Sequence, residues 1–165
     1  MEKDKITETK VKYNGLFEFK ELYHFVYRWL NDEDYWVEEK KYIEEVTGDT
    51  KKVEITWEAG KKVSDYFRNH LKLEWRIIGL TTVEVERNGK KVKINKGSFE
   101  IKISATLQKD WGSQWDKTPF TKFLRGVYDK FVIIERVKQY EGKLDGTLNS
   151  LAEQIKAFFA IEGMK

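Results

Sequence analysis

The chain has 165 residues, 40% hydrophobic and 15% aromatic, enough for one domain with a full core and too apolar for a disordered polymer. It holds no cysteine, which excludes disulfides, thiolate metal sites and cysteine catalysis, and no apolar run nears the roughly 18 to 20 residues of a membrane span. The net charge of +3 divides unevenly: residues 1–50 hold 8 Lys/Arg against 13 Asp/Glu, and residues 51–165 hold 23 against 15, so the two segments are complementary in sign.

The first predicted element is a strand from Ile6 to Tyr13, ended by Asn14-Gly15. From Phe17 to Leu30 the apolar spacing becomes helical (Phe19, Leu22, Tyr23, Val26, Leu30), and Phe25, Tyr27 and Trp29 widen the stripe enough to predict cover on two sides. Asn31-Asp32-Glu33-Asp34 reads as a loop. Tyr35 to Val46 is a strand with blurred alternation, Trp36 and Tyr42 on one face, Val37 and Ile43 on the other. Thr47-Gly48-Asp49-Thr50 turns it back into a strand in which Val53, Ile55 and Trp57 alternate with Glu54, Thr56 and Glu58.

Ala59-Gly60-Lys61-Lys62 reads as a turn or bulge. Beyond it the odd residues Phe67, Leu71, Leu73, Trp75 and Ile77 alternate with Arg68, His70, Lys72, Glu74 and Arg76, the period of a half-buried strand ending at Gly79. Asn88-Gly89 is the strongest hairpin signal, joining Val83 and Val85 to Val92 and Ile94. After a break at Asn95-Lys96-Gly97, Phe99, Ile101, Ile103, Ala105 and Leu107 mark the last strand. Trp111 to Trp115 reads as a loop, and Thr118-Pro119 as the cap and first position of a helix over 119–140. Gly142 and Gly146 precede a final helix over 147–162, with Leu148, Leu151, Ala152, Ile155, Phe158 and Phe159 as its stripe and Gly163 as its cap. The predicted fold class is α+β: an antiparallel sheet of about six strands with an N-terminal helix and two C-terminal helices packed on it, one domain over 1–165, its helical part at 111–165.

No catalytic constellation emerges. His24 and His70, the only histidines, give a transition metal almost no ligands, and Asp32, Glu33 and Asp34 lack the spacing of a calcium loop, so no metal, cofactor or catalytic residue is expected. Gly60-Lys61-Lys62 and Gly89-Lys90-Lys91 lack the remaining residues of a phosphate loop. Ser64, Asp65 and His70 fail as a triad because strand geometry sends Asp65 and His70 to opposite faces. If Phe67, Leu71, Leu73 and Trp75 face the core, Asn69 shares that side, with Asp65 a further candidate; the preferred reading places them at the frayed start of the strand, and the alternative is that a buried polar group there orients a ligand.

Three functional expectations follow. The first is a non-catalytic structural protein that self-associates as a homo-oligomer, motivated by the charge split and by the apolar surface of Phe25, Trp29 and Trp36 beside Asp32, Glu33 and Asp34. The second is a carrier of an apolar small molecule, with Trp57, Trp75, Phe99 and Phe158 as the cavity wall. The order strand, helix, antiparallel strands and long C-terminal helix resembles the helix-grip layout of lipid-carrying cavity proteins, from which the helix at 119–140 departs. The third is single-stranded nucleic-acid binding along Arg68, Lys72 and Arg76, with the tip residues Lys90, Lys91, Lys93 and Lys96.

Two segments, Tyr13-Asn14-Gly15-Leu16-Phe17-Glu18-Phe19-Lys20-Glu21-Leu22-Tyr23 and Pro119-Phe120-Thr121-Lys122-Phe123-Leu124-Arg125-Gly126-Val127-Tyr128-Asp129-Lys130, resemble a set of short archaeal proteins rich in Lys, Glu and aromatic residues. That resemblance implies a stand-alone domain and no particular activity. The Lys- and Glu-rich surface is thermophile-like. Lacking a charged n-region before an apolar stretch, the sequence predicts a cytoplasmic protein by default, with a removed leader or assembly into an extracellular or viral particle as alternatives.

Overall fold

The computed structural model describes residues 2–64, 66–109, 118–124 and 134–164. The chain runs β1 (Glu2–Phe17), α1 (Phe19–Asp32), β2 (Trp36–Thr47), β3 (Thr50–Lys62), β4 (Phe67–Arg87), β5 (Lys90–Lys109), a helix α2 whose described residues are 119–124, and α3 (Ile134–Met164). The fold is α+β with one antiparallel sheet in the order β1-β5-β4-β3-β2. β1 opens one edge. α1 then carries the chain across to the other edge, and β2 to β5 meander back until β5 pairs with β1.

Five strands replace the six expected because glycine bends the long strands without ending them. Gly79 takes φ of 68° and the register skips between Ile78 and Thr81, so a bulge lets β4 run on to Asn88-Gly89, where φ of 55° and 75° makes the expected tight turn. β5 likewise passes through 95–97, and β1 through Asn14-Gly15 with Gly15 opposite Gly97. β3 continues through Gly60 to Lys62 instead of turning there. In β2 the register shifts between Glu39 and Lys41, which corrects the expected faces: Trp36 shares the outer face with Ile43, and Val37 the inner face with Tyr42.

The inner face holds the core. Val53, Ile55, Trp57, Ala59, Leu71, Leu73, Trp75, Ile77, Phe99, Ile101, Ile103 and Leu107 lie against Leu22, Val26 and Leu30 of α1 and Leu144, Leu148, Leu151 and Ile155 of α3. α1 starts without a side-chain cap of its own; the Asn95 side-chain oxygen of β5 accepts the Phe19 N–H at 3.1 Å instead. The helix extends two residues into the expected acidic loop, through Asp32. It ends as Asp34 adopts φ of 66° and the Tyr35 N–H returns to the Leu30 carbonyl at 2.9 Å.

The C-terminal region departs most from expectation. α3 is a single 31-residue helix that runs through Gly142 and Gly146. Buried leucines at 144, 148 and 151 hold the helix on the sheet across both glycines, so packing overrides the local propensity for a break. Residues 134–140, expected in the preceding helix, belong to α3. Residues 125–133, Trp111 to Trp115 and Asp65 lie outside the described residues. α2 begins as expected, with the Thr118 hydroxyl accepting the Thr121 N–H at 3.1 Å, but its Phe120 and Phe123 are exposed, leaving α1 and α3 as the described helices packed on the sheet.

Candidate functional site

The helices leave a cleft at one end of the inner face. It has a volume of about 670 Å³ and collects residues distant in sequence: Trp29 and Glu33 at the end of α1, Tyr35, Lys61 and Lys62 at the end of β3, Asn69 on β4, and Tyr140, Lys143 and Thr147 on α3. This volume lies within the roughly 300–1,000 Å³ of small-molecule sites. Three ammonium groups and one carboxylate give the lining an excess of positive charge.

Asn69 is the polar centre of this cleft. Strand alternation places it inward between Phe67 and Leu71, and only 6% of its surface is exposed. Its side-chain amide donates to the Tyr35 hydroxyl at 3.2 Å, while its Oδ1 is buried without a hydrogen-bond partner. An acceptor left in that condition costs about 1–3 kcal/mol. Tyr35 is itself buried, and burial raises its pKa above the usual phenol value, against the opposing effect of hydrogen bonds to Asn69 and Thr147. The Lys61 ammonium lies 5.8 Å from the Tyr35 ring centroid, over its π face.

The aromatic residues expected to wall a cavity sit elsewhere. Trp57, Trp75 and Phe99 are fully buried in the core, with ring centroids 5.0 Å apart for Trp57 and Trp75 and 6.0 Å for Trp75 and Phe99. Phe158 packs on Phe25 at 5.6 Å. None of the four lines the large cleft. Among the residues singled out for self-association, Phe25 is half-buried against α3, Trp29 lines the cleft, and Asp32, Glu33 and Asp34 are exposed. Trp36 lies over Gly60 with Arg68 5.9 Å from its ring centroid; a Cβ on Gly60 would come within 2.4 Å of the indole. Packing within one chain thus accounts for much of the aromatic excess of α1.

The outer face is a checkerboard of charge. Lys72 pairs with Glu74 at 3.1 Å, Lys102 with Glu8 at 3.5 Å, and Arg76 stands in register between Glu54 and Glu100. Glu54 receives Lys41 at 2.9 Å and Lys52 at 3.0 Å, and these ammonium groups lower its pKa to about 2. Arg68 is held by the buried Gln108 side chain. Lys90, Lys91, Lys93 and Lys96 are exposed at the β4–β5 tip, beyond the Gly79 bulge, with Lys91 3.8 Å from Glu84. The expected basic stripe is therefore interrupted by carboxylates along its length.

Ser64 serves structure: its hydroxyl accepts the N–H groups of Tyr66 and Phe67 at 3.2 and 2.9 Å. His70 contacts Glu58 at 3.5 Å on the outer face. Among the described residues no cluster of three metal-ligating side chains occurs, and no helix is long and apolar enough to cross a membrane. Sequence reasoning singled out Asn69 but missed Tyr35, Lys61, Lys62, Lys143 and Thr147, whose only local signal was the Lys61-Lys62 pair. No protein-family model matches the chain, and a comparison with curated proteins finds no match.

Proposed function

We propose that this protein is a carrier of an amphipathic, anionic small molecule, held in the cleft between α1, the end of β3 and α3. The observation that carries this reading is Asn69, a buried side chain of the cleft lining whose Oδ1 has no hydrogen-bond partner, an acceptor that a ligand hydroxyl or amide would satisfy. Lys61 and Lys143 at the lining suit a carboxylate, and Trp29, Val63 and Tyr140 suit an apolar body. The sheet order, with β1 joined to the last strand and a long C-terminal helix across the inner face, supports the helix-grip likeness. The cleft is more polar than the aromatic cavity expected from sequence, so the ligand is amphipathic instead of wholly apolar.

A fluorescent fatty acid and the alcohol of the same chain length test this. Saturable binding is expected for both, with the pair Lys61→Ala/Lys143→Ala weakening the acid about tenfold through its carboxylate and Asn69→Leu weakening the alcohol about tenfold through the hydroxyl that donates to Asn69 Oδ1, as loss of one polar contact implies. The alcohol should be indifferent to the lysine substitutions. Absence of saturable binding, or binding unaffected by both variants, overturns the reading.

A further inference from the structure

β2 carries exposed apolar side chains among its charges at an edge of the sheet. β2 ends the sheet order, and among the described residues no strand pairs with its free edge. Tyr42, Ile43 and Val46 are 44%, 42% and 74% exposed there. Natural sheets block such edges with bulges and charge. Here the bulge between Glu39 and Lys41 lies toward one end, and residues 41–47 keep regular register with β3.

The charges on this stretch are self-complementary. Lys41, Ile43 and Glu45 share the outer face, opposite Thr56, Glu54 and Lys52 of β3; Tyr42 and Glu44 share the inner face, opposite Ile55 and Val53. Side chains directly opposed in an antiparallel pair must lie on the same face, so a twofold axis between two copies of β2 passes through one residue opposed to itself. Centred on Ile43, the pairing sets Lys41 against Glu45 of the second copy, Tyr42 against Glu44 of the second copy, and Ile43 against itself, each charged pair occurring twice. Centring on Lys41, Glu44 or Glu45 opposes like charges, and centring on Tyr42 sets Lys41 against Ile43.

We propose that two copies of this chain associate edge to edge through β2, in antiparallel register about Ile43, forming one continuous sheet across the dimer. The partner is a second copy because the sequence Lys41-Tyr42-Ile43-Glu44-Glu45 is its own complement when reversed. Lys41 would then bridge Glu54 of its own sheet, 2.9 Å away, and Glu45 of the second copy. Backbone hydrogen bonds supply affinity and the charged pairs set register. The proposal is independent of the cleft and of its ligand.

Sedimentation velocity over a concentration series, with folding of each variant checked by circular dichroism, tests this. The wild-type chain should dimerise reversibly. Lys41→Glu and Glu45→Lys should each weaken the dimer about tenfold or more, by opposing like charges twice across the axis. The double variant Lys41→Glu/Glu45→Lys exchanges the signs and should restore dimerisation. Ile43→Arg, at a position exposed in the monomer, should abolish it while leaving the fold intact. A chain that stays monomeric at its highest attainable concentration overturns the proposal, as does a dimer indifferent to Ile43→Arg or a charge-swapped variant that fails to recover.

Discussion

β2 and β4 both read as strands, yet they differ in nearly every physical respect. β4 is central, its inward residues Phe67, Asn69, Leu71, Leu73, Trp75 and Ile77 are all buried, and its alternation is unbroken from 67 to 77. β2 is an edge strand on which every residue but Val37 is exposed. Strict period two marks a strand with neighbours on both sides and helices above, whereas blurred alternation marks a bulged edge that stays largely exposed.

The largest test of this contrast is truncation of matched inward and outward residues. Trp75→Ala removes a fully buried indole and should cost about 3–5 kcal/mol, read as a lower urea midpoint, whereas Ile43→Ala on β2 should cost under ~0.5 kcal/mol in the monomer. Comparable losses at the two positions would abolish the distinction between them.

Gly60 tests how β2 is attached to β3. Gly60→Ala forces the Trp36 indole off the strand and should cost about 1–2 kcal/mol; in a Trp36→Ala background the same change should cost almost nothing. An additive double-mutant cycle would show that the indole does not make this contact in solution.

A polar clamp joins α1 to β2 on the inner face. Glu39 Oε1 accepts from the Tyr23 hydroxyl at 2.9 Å and the Trp57 Nε1–H at 3.0 Å. Tyr23→Phe should cost about 1 kcal/mol at neutral pH. Burial first, then Glu39, raises the Tyr23 pKa to about 12 from its ordinary 10.0. The folded state therefore holds this proton more tightly than the unfolded chain does. Stability from it is complete below about pH 10 and declines as pH rises toward 12. The alkaline loss measured by urea unfolding should be shallower in Tyr23→Phe; an unchanged slope would remove Tyr23 from the account.

The smallest effects are expected at the helix glycines beside the cleft. A Cβ on Gly142 or Gly146 meets no atom within 4 Å, so neither glycine is required by packing. Each change to alanine should raise stability by about 0.5–1 kcal/mol, visible as a higher melting temperature. A destabilising result would show that the helix needs glycine there for a reason other than space.

The inward faces of β3, β4 and β5, the stripe of α1, the cap at Thr118 and the turn at Asn88-Gly89 were legible in the sequence, because each depends on neighbours a few residues apart. The inward side of Asn69 was legible too, from parity alone. Long-range packing made β4 continue past Gly79, α3 run through Gly142 and Gly146, and the β2 bulge exchange the faces of its second half. Each depends on pairing or burial against distant residues, which can outweigh a local propensity of about 1 kcal/mol. The cleft was illegible for the same reason: Tyr35, Lys61, Asn69 and Lys143 become neighbours only when α1, the sheet and α3 close around one end, and no local spacing encodes that meeting.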